Sequence, residues 1–347
     1  MDSQLTSDIS KLSDQVKAAT LPDELRDRVN GTLERLNHQA QVGSISGEFD
    51  QIAHYVDWIT HLPWSTTTKD VLDLVHTKQV LDSNHYGLED LKQRIMEYIS
   101  VLVLNEGKNP NFHAPILLLV GLVGTGKTTL ARSIADSLDR KFIRIPFGGM
   151  SSALDLRGQS RLHPEAEPGQ IIKNMRRAGS KNPVILLDEI DRVAPSALGE
   201  IMGVLVELLD PEQNASFIDH YIDYPFDLSQ ALFIATANNT TNISTAVMDR
   251  LEHLMMPSYS DEEKIKIAKD YVLPRTIKNA GLDPKSLTIE ESVWPKIVRP
   301  LGFDSGIRTL ERTIEGIVRK TAKMLIENKG KEFVITESNV KSFLPTY

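Results

Sequence analysis

Apolar residues recur along this chain with two different periods, and the change from one to the other divides it. Leu5, Ile9, Leu12 and Val16 are spaced four, three and four apart, a narrow helical seam. Leu21-Pro22-Asp23-Glu24 has proline and acids where a first helical turn accepts them. Leu25, Val29, Leu33 and Leu36 continue an apolar face behind that start. A polar break is expected over 41–47, then a third stripe of Phe49, Ile52, Ala53, Val56 and Ile59, stopped by Leu62-Pro63-Trp64. Residues 65–69 read as a polar connector. From Ile116 the pattern becomes short apolar runs alternating with helical stretches. The runs Ile116–Val120, Phe142–Pro146, Val184–Asp188 and 231–235 predict buried strands. Leu130, Ile134 and Leu138 predict a helix over 129–138. This alternation predicts an α/β fold, a mostly parallel sheet covered on both faces. Beyond Pro257 helices return, at 262–272, 290–298 and 307–328. The last carries Leu310, Ile314, Ile317, Val318, Thr321 and Leu325 on one side. A short strand Phe333–Ile335 and a closing helix follow. The expected division is a helical segment and linker over 1–84, a large α/β domain over 85–257 and a smaller, mainly helical domain over 258–347.

Composition narrows the chemistry. A chain of 347 residues exceeds what one core serves, in keeping with several domains. There is no cysteine, which excludes disulfides, thiolate zinc sites and cysteine nucleophiles. The net charge of −8 speaks against sequence-independent nucleic-acid binding. Lys173, Arg176, Arg177 and Lys181 read as a solvated helix face, with local anion binding as the alternative. No apolar run is long enough for a bilayer, and Met1-Asp2-Ser3-Gln4 does not open a secretory signal. A cytoplasmic protein without membrane partners is expected.

The strand Ile116–Val120 leads into G-x-x-x-x-G-K-[ST] at 121–128, a phosphate-cradling pattern. Gly121, Gly124 and Gly126 let the backbone curl so that N–H groups, with those of Leu122, Val123 and Thr125, face phosphate oxygens. Lys127 suits the outer phosphates and the Thr128 hydroxyl a Mg²⁺ ion. The following helix would aim its N-terminus at the same anion. Val184–Asp188 ends in an acid and Glu189 follows it. Asp188 fits a Mg²⁺ shell and Glu189 the activation of water; helix capping is the alternative. Asp191 reads as structural. Asn238, after a third strand, is a candidate to bond the γ-phosphate or the water, or a turn residue. Arg250 could reach a neighbouring subunit's transferred phosphoryl group, with a plain surface residue the alternative. Arg308, at the start of the last long helix, could do so from within the same chain.

This ordered set resembles an AAA+ ATPase. Longer segments are similar to the ATPase part of Lon-type, ATP-dependent proteases: Asp57-Trp58-Ile59 with Leu62-Pro63-Trp64, His85-Tyr86-Gly87-Leu88, Phe147-Gly148-Gly149, Leu209-Asp210-Pro211-Glu212-Gln213-Asn214, Asp219-His220-Tyr221 and Gly306-Ile307-Arg308-Thr309-Leu310-Glu311-Arg312. The resemblance runs in order over residues 20–345. It implies a P-loop AAA+ large domain with a small helical domain, Mg²⁺ and ATP as cofactors, and a hexameric ring that pulls polypeptide through its pore. It implies that Asn238 is a first sensor, Arg250 a finger acting in trans and Arg308 a second sensor. His85 and Tyr86 would line the adenine side, with plain packing the alternative for Tyr86. Two departures stand out. Leu122 and Val123 replace two prolines of the family's phosphate loop. At the expected pore-loop tip, within 156–169, His163 and Pro164 replace an aromatic–aliphatic pair, with Glu165 and Glu167 alongside. No Ser–Lys protease segment and no β-rich collecting domain are found in these residues, so no peptidase activity is expected of them. The competing expectation is a regulatory nucleotide-binding protein with little threading activity.

Overall fold

The computed structural model describes residues 2–41, 48–105, 115–299 and 306–345. Beyond Gln41, the expected break at 41–47 lies outside them. In chain order the helices α1 (Asp2–Ala18), α2 (Asp23–Gln41), α3 (Glu48–Thr60), α4 (Leu74–Asn84) and α5 (Glu89–Asn105) precede strand β1 (Ile116–Val120) and helix α6 (Lys127–Ser137). Then come β2 (Phe142–Pro146), α7 (Leu154–Arg157), α8 (Gln170–Ala178), β3 (Val184–Asp188), α9 (Leu198–Leu208), α10 (Pro211–Asn214), β4 (Phe217–Ile218), β5 (Pro225–Phe226), β6 (Leu232–Ala237), α11 (Thr245–Met248) and β7 (Leu251–Met255). The remainder is α12 (Asp261–Ile267), α13 (Leu273–Asn279), β8 (Leu287–Ile289), α14 (Trp294–Val298), α15 (Arg308–Ile326), β9 (Phe333–Ile335) and α16 (Val340–Phe343).

These elements form two compact units. One comprises residues 1–73, 100–118 and 135–253, the other 74–99, 119–134 and 254–347. In the first, α2 starts on Asp23 and Glu24, which favour a helix N-terminus, and buries Leu25, Val29, Leu33, Leu36 and Ala40 along one face. Ile9 of α1 meets Leu36 and Ala40, with Leu5, Phe49 and Ile52 packed around them. Trp64, after the helix stop, donates to the Ile59 carbonyl at 2.7 Å and packs its ring against Phe226. The stretch expected as a polar connector is docked. Thr68 and Asn182 exchange two hydrogen bonds of 2.9 Å, and Arg140 grips Asp70 with a bidentate pair.

The central sheet has strand order β2-β3-β6-β1-β7. β2 and β3 run parallel with Phe142 opposite Val184, as do β3 and β6 with Val184 opposite Leu232. Every residue of β1 and β3 is buried, as the continuous apolar runs required. β7 is a strand that the sequence pattern did not predict; Glu252 and His253 interrupt its apolar character, and its burial is mixed.

In the second unit, Ile267, Val272, Ile277, Trp294, Leu310, Ile314, Ile317 and Phe343 belong to one core. Ser260 and Glu263 close a reciprocal capping box at the start of α12. The helix expected over 262–272 ends as a π turn, Ala268–Val272, directly before α13, whose first turn holds Pro274. A wider turn accommodates a proline that lacks the N–H an α-helix would use there. β8 and β9 pair in parallel beside these helices.

Candidate functional site

The sequence-predicted residues fall into two groups, one in each unit. The phosphate loop is built by close backbone approach. Gly124 and Gly126 have φ of 83° and 97°, values that disfavour any residue with a Cβ. A Cβ at Gly121 would stand 2.7 Å from the Met256 carbonyl oxygen, and the Met256 N–H donates to Val120 at 2.7 Å. The fully buried Thr125 donates its hydroxyl to Leu122 at 2.9 Å. Lys127 opens α6, and its ammonium donates to the carbonyls of Gly121 at 2.6 Å and Leu122 at 3.0 Å. Thr128 follows in the first turn. Leu122 and Val123, the two departures from the resembled pattern, are exposed on the loop's outside, Leu122 at 51%.

The start of α15 lies on this loop. The Ile307 N–H donates to the Gly124 carbonyl at 3.0 Å, and a Cβ added at Gly124 would lie 3.3 Å from Cγ of Arg308. A Cβ at Gly306 would lie 2.4 Å from the Val123 oxygen. The two chain segments are therefore packed as closely as two glycines allow, and Arg308 is brought to the loop. Sequence reasoning missed Tyr259, whose hydroxyl donates to the Thr125 carbonyl at 3.2 Å. Burial pushes that phenol up to about 12, so it stays a donor.

His85 is buried and 3.1 Å from the Ser133 hydroxyl of α6. Desolvation first, and then the charge of Lys92, push it down to about 4 against a hydrogen bond with the Thr129 backbone. It is a neutral imidazole that braces the helix behind the phosphate loop. Tyr86 is half-buried, packs on the core of the C-terminal helices and has the Lys266 ammonium 5.1 Å from its ring centre.

The acidic group belongs to the other unit. Asp188 closes β3 and is 3% exposed. One carboxylate oxygen accepts from the Thr236 hydroxyl at 2.5 Å, the other from Nε of Arg144 at 2.7 Å. Thr236, fully buried on β6, also accepts from the Glu189 N–H at 2.9 Å. One hydroxyl thus fixes a side chain and the next residue's backbone together. Glu189 sits in the left-handed region, φ 59°, a conformation that costs about 1–2 kcal/mol for a residue with a Cβ. A Cβ on Gly148 would stand 3.0 Å from the Glu189 carboxylate, so glycine there leaves that carboxylate its space. Sequence reasoning missed both Thr236 and Arg144, because neither lies in a motif of its own. Asp191, buried, accepts from Asn239 and supplies its carbonyl to Asn242. Asn238, half-buried, follows the end of β6. Arg250 donates to the Ala246 carbonyl at 2.7 Å and to Asp210 at 3.1 Å. Its guanidinium holds the Asp210 carboxyl below the usual range, while Asp210 also caps α10.

In one unit a glycine loop runs into a lysine with an arginine beside it; in the other a strand ends in an acid pair, and both are features found in nucleotide hydrolases. Residues 117–259 match the family described as ATPase family associated with various cellular activities (AAA). The chain thus contains a domain of the AAA family, a family that implies nucleotide binding. Residues 278–334 match the Lon protease AAA+ ATPase lid domain. Over 329 residues, 95% of this chain, it is 42% identical to Lon protease of Desulforamulus reducens, covering 40% of that protein. It is 41% identical to Lon protease 1 of Bacillus subtilis, over 98% of this chain and 43% of the relative. For Lon protease 2 of Thermus thermophilus the identity is 40%, over 97% of this chain and 42% of the relative. The chain therefore carries the AAA+ ATPase module of the Lon family, and spans about two fifths of the length of the curated relatives it matches. Among the described residues no helix is long and apolar enough to cross a membrane, and no three metal-ligating side chains cluster.

Proposed function

We propose that this module hydrolyses Mg²⁺-bound ATP in a homo-hexameric ring in the cytoplasm and uses the energy to pull polypeptide. The large domain over 85–257 binds nucleotide, and 258–347 is the small helical domain. Lys127 and the amides of Gly121, Leu122, Val123, Gly124, Thr125 and Gly126 bind the phosphates; Thr128 and Asp188 would hold Mg²⁺. That ion supplies charge neutralisation at the phosphates. Glu189 takes the proton of the attacking water, Asn238 orients that water, and Arg308 stabilises charge on the transferred group. Arg250 acts on a neighbouring subunit's nucleotide and exchanges its Asp210 partner for phosphate when the ring forms. His85 and Tyr86 border the adenine.

The observation that carries the hydrolytic reading is the Thr236 hydroxyl joined at once to Asp188 and to the Glu189 backbone. It presets two acids in fixed relation, which a protein that only binds nucleotide does not need. The test compares wild type with Lys127→Ala and Glu189→Gln, in the presence and absence of Mg²⁺. Lys127→Ala is expected to lose ATP binding. Glu189→Gln is expected to bind ATP while turnover falls at least roughly a hundredfold, the scale of losing a general base. Undiminished turnover in either variant overturns the assignment.

The second reading, a regulatory nucleotide binder that threads little, is favoured by the exposed His163-Pro164 tip. Casein-stimulated ATP turnover coupled to unfolding of a tagged substrate would set it aside.

A further inference from the structure

The loop between α7 and α8, residues 158–169, is closed at its neck. A Cβ at Gly169 would stand 2.0 Å from the Leu156 carbonyl oxygen, and one at Gly158 would stand 2.7 Å from the Gly169 nitrogen. Gly158 has φ 73°. The Gln159 N–H donates to Glu167 across the neck at 3.1 Å. Above the neck the chain turns on short-range bonds, His163 to Ser160 and Ala166 to His163. Leu162 stands 93% exposed at the tip beside exposed His163, Pro164 and Glu165.

What ties the neck lies outside the loop. Asp219, fully buried, accepts from the Gly169 N–H at 2.7 Å with one oxygen. With the other it accepts from Tyr221 at 2.8 Å and Ile222 at 3.1 Å. The His220 N–H donates to the Arg157 carbonyl at 2.7 Å, so the Asp219 turn grips both feet of the loop. Three backbone donors hold this buried acid by its two oxygens. Burial pushes it up from the ordinary carboxylate value, and those three N–H bonds oppose the shift. A buried carboxylate is expensive to desolvate. An apolar residue could fill the space; it could not tie Gly169 to the 219–222 turn. Beside the neck, the Arg161 guanidinium lies 3.8 Å from the ring centre of Tyr55 on α3 and 3.9 Å from Asp223.

We propose that Asp219 is a positioning residue for the exposed tip 160–166, and that its hold on the Gly158–Gly169 neck sets how firmly the tip engages a polypeptide. The inference rests on the polypeptide reading and names the element that conditions it. Asn in place of Asp219 keeps the shape but turns an N–H₂ toward one set of backbone donors, so one side of the tie opens. The experiment pairs two measurements on this chain. Hydrogen exchange follows the amides of Gly169, Tyr221 and Ile222, and ATP turnover is titrated with casein, each rate referred to that variant's own casein-free rate.

In wild type the three amides are expected to exchange together and far more slowly than those of Leu162, His163 and Glu165. In Asp219→Asn, Gly169 exchange should rise, and the casein concentration for half-maximal stimulation should rise about tenfold, the scale of one lost charge-assisted bond. Maximal stimulated turnover should fall much less. A merely structural role would lower all rates together without moving the half-maximal concentration, and that result overturns the proposal. So does Gly169 exchange as fast as the tip in wild type, an outcome readable even if the variant does not fold. If casein fails to stimulate wild type while Glu189→Gln still abolishes its ATP turnover, the polypeptide reading falls. Gly169 protection lost in Asp219→Asn would then leave the neck tie standing on its own.

Discussion

The phosphate loop 121–128 and the exposed loop 158–169 both depend on positive-φ glycine and on contacts too close for a Cβ, yet the ties that hold them fall on different backbone groups. In the phosphate loop the ties fall on carbonyls. Lys127 and Thr125 donate to loop carbonyls, and the following helix starts directly behind. Ile307 and Tyr259 donate to two more, at Gly124 and Thr125, and a loop with its carbonyls so engaged suits main-chain binding of an anion. In loop 158–169 the tie comes from a distant residue, Asp219, which consumes a backbone N–H at the neck and leaves side chains outward. The first arrangement suits a ligand that is the same every time, recognised by main chain. The second suits a ligand whose sequence varies and is met by side chains at a tip. A change in the first loop should therefore be felt by every turnover, and a change in the second only when a polypeptide is present.

Replacing Thr236 sharpens this contrast most. Thr236→Val keeps the volume but removes the hydroxyl that Asp188 and the Glu189 N–H share, leaving a half-buried donor unpaired. Turnover should fall by roughly thirtyfold or more, with and without casein alike, the scale of one bond to a charged group and one orphaned N–H. Thr236→Ser should retain most of it. A steady-state ATPase measurement decides: equal turnover in Thr236→Val and wild type would remove the hydroxyl from the site.

His85 offers the next effect, on stability. Its folded value of about 4 lies below the unfolded value of about 6.5. As pH falls below 6.5 the unfolded chain takes up a proton that the folded chain refuses until about 4. Stability should drop across that window by about 3 kcal/mol and be insensitive to His85 above it. Urea unfolding at pH 7 and pH 4.5 measures this, with His85→Gln as the reference that lacks the slope. An identical slope in His85→Gln would mean that other groups carry the acid sensitivity.

How far the sequence discloses each region follows from how each is encoded. The phosphate loop is contiguous, and its positive-φ glycines and Lys127 stand within 121–128, so spacing alone located it. The Asp188-Glu189 pair was legible for the same reason. Thr236 was not, since a threonine inside the apolar run of β6 looks like any strand residue until β3 and β6 pair. β7 was missed because Glu252 and His253 break the run, and edge strands tolerate such residues. The stretch 65–69 read as a polar connector, because Asn182, which docks Thr68, and Arg140, which grips the adjoining Asp70, come from far along the chain. Arg250 showed only its place after the acid motifs; its pairing with Asp210 depends on how the segment after α9 returns.

Leu162 gives the smallest effect and bears most directly on the contrast. The resemblance drew attention to His163 and Pro164, yet the largest exposed apolar surface at the tip belongs to their neighbour. A side chain 93% exposed contributes nothing to folding by burial, so Leu162→Ser should leave unfolding midpoints within about 0.5 kcal/mol of wild type. If the tip engages polypeptide through apolar contact, covering a leucine is worth about 1.5–3 kcal/mol when complete. Partial covering in a moving contact corresponds to a few-fold rise in half-stimulating casein concentration. His163→Ala should shift it less, because an imidazole offers less apolar area to a passing chain. ATP turnover without casein belongs to the other loop and should not respond. A loss of casein-free turnover in Leu162→Ser would join the two regions that this comparison separates. An effect of His163→Ala exceeding that of Leu162→Ser would return the contact to the position the resemblance marks.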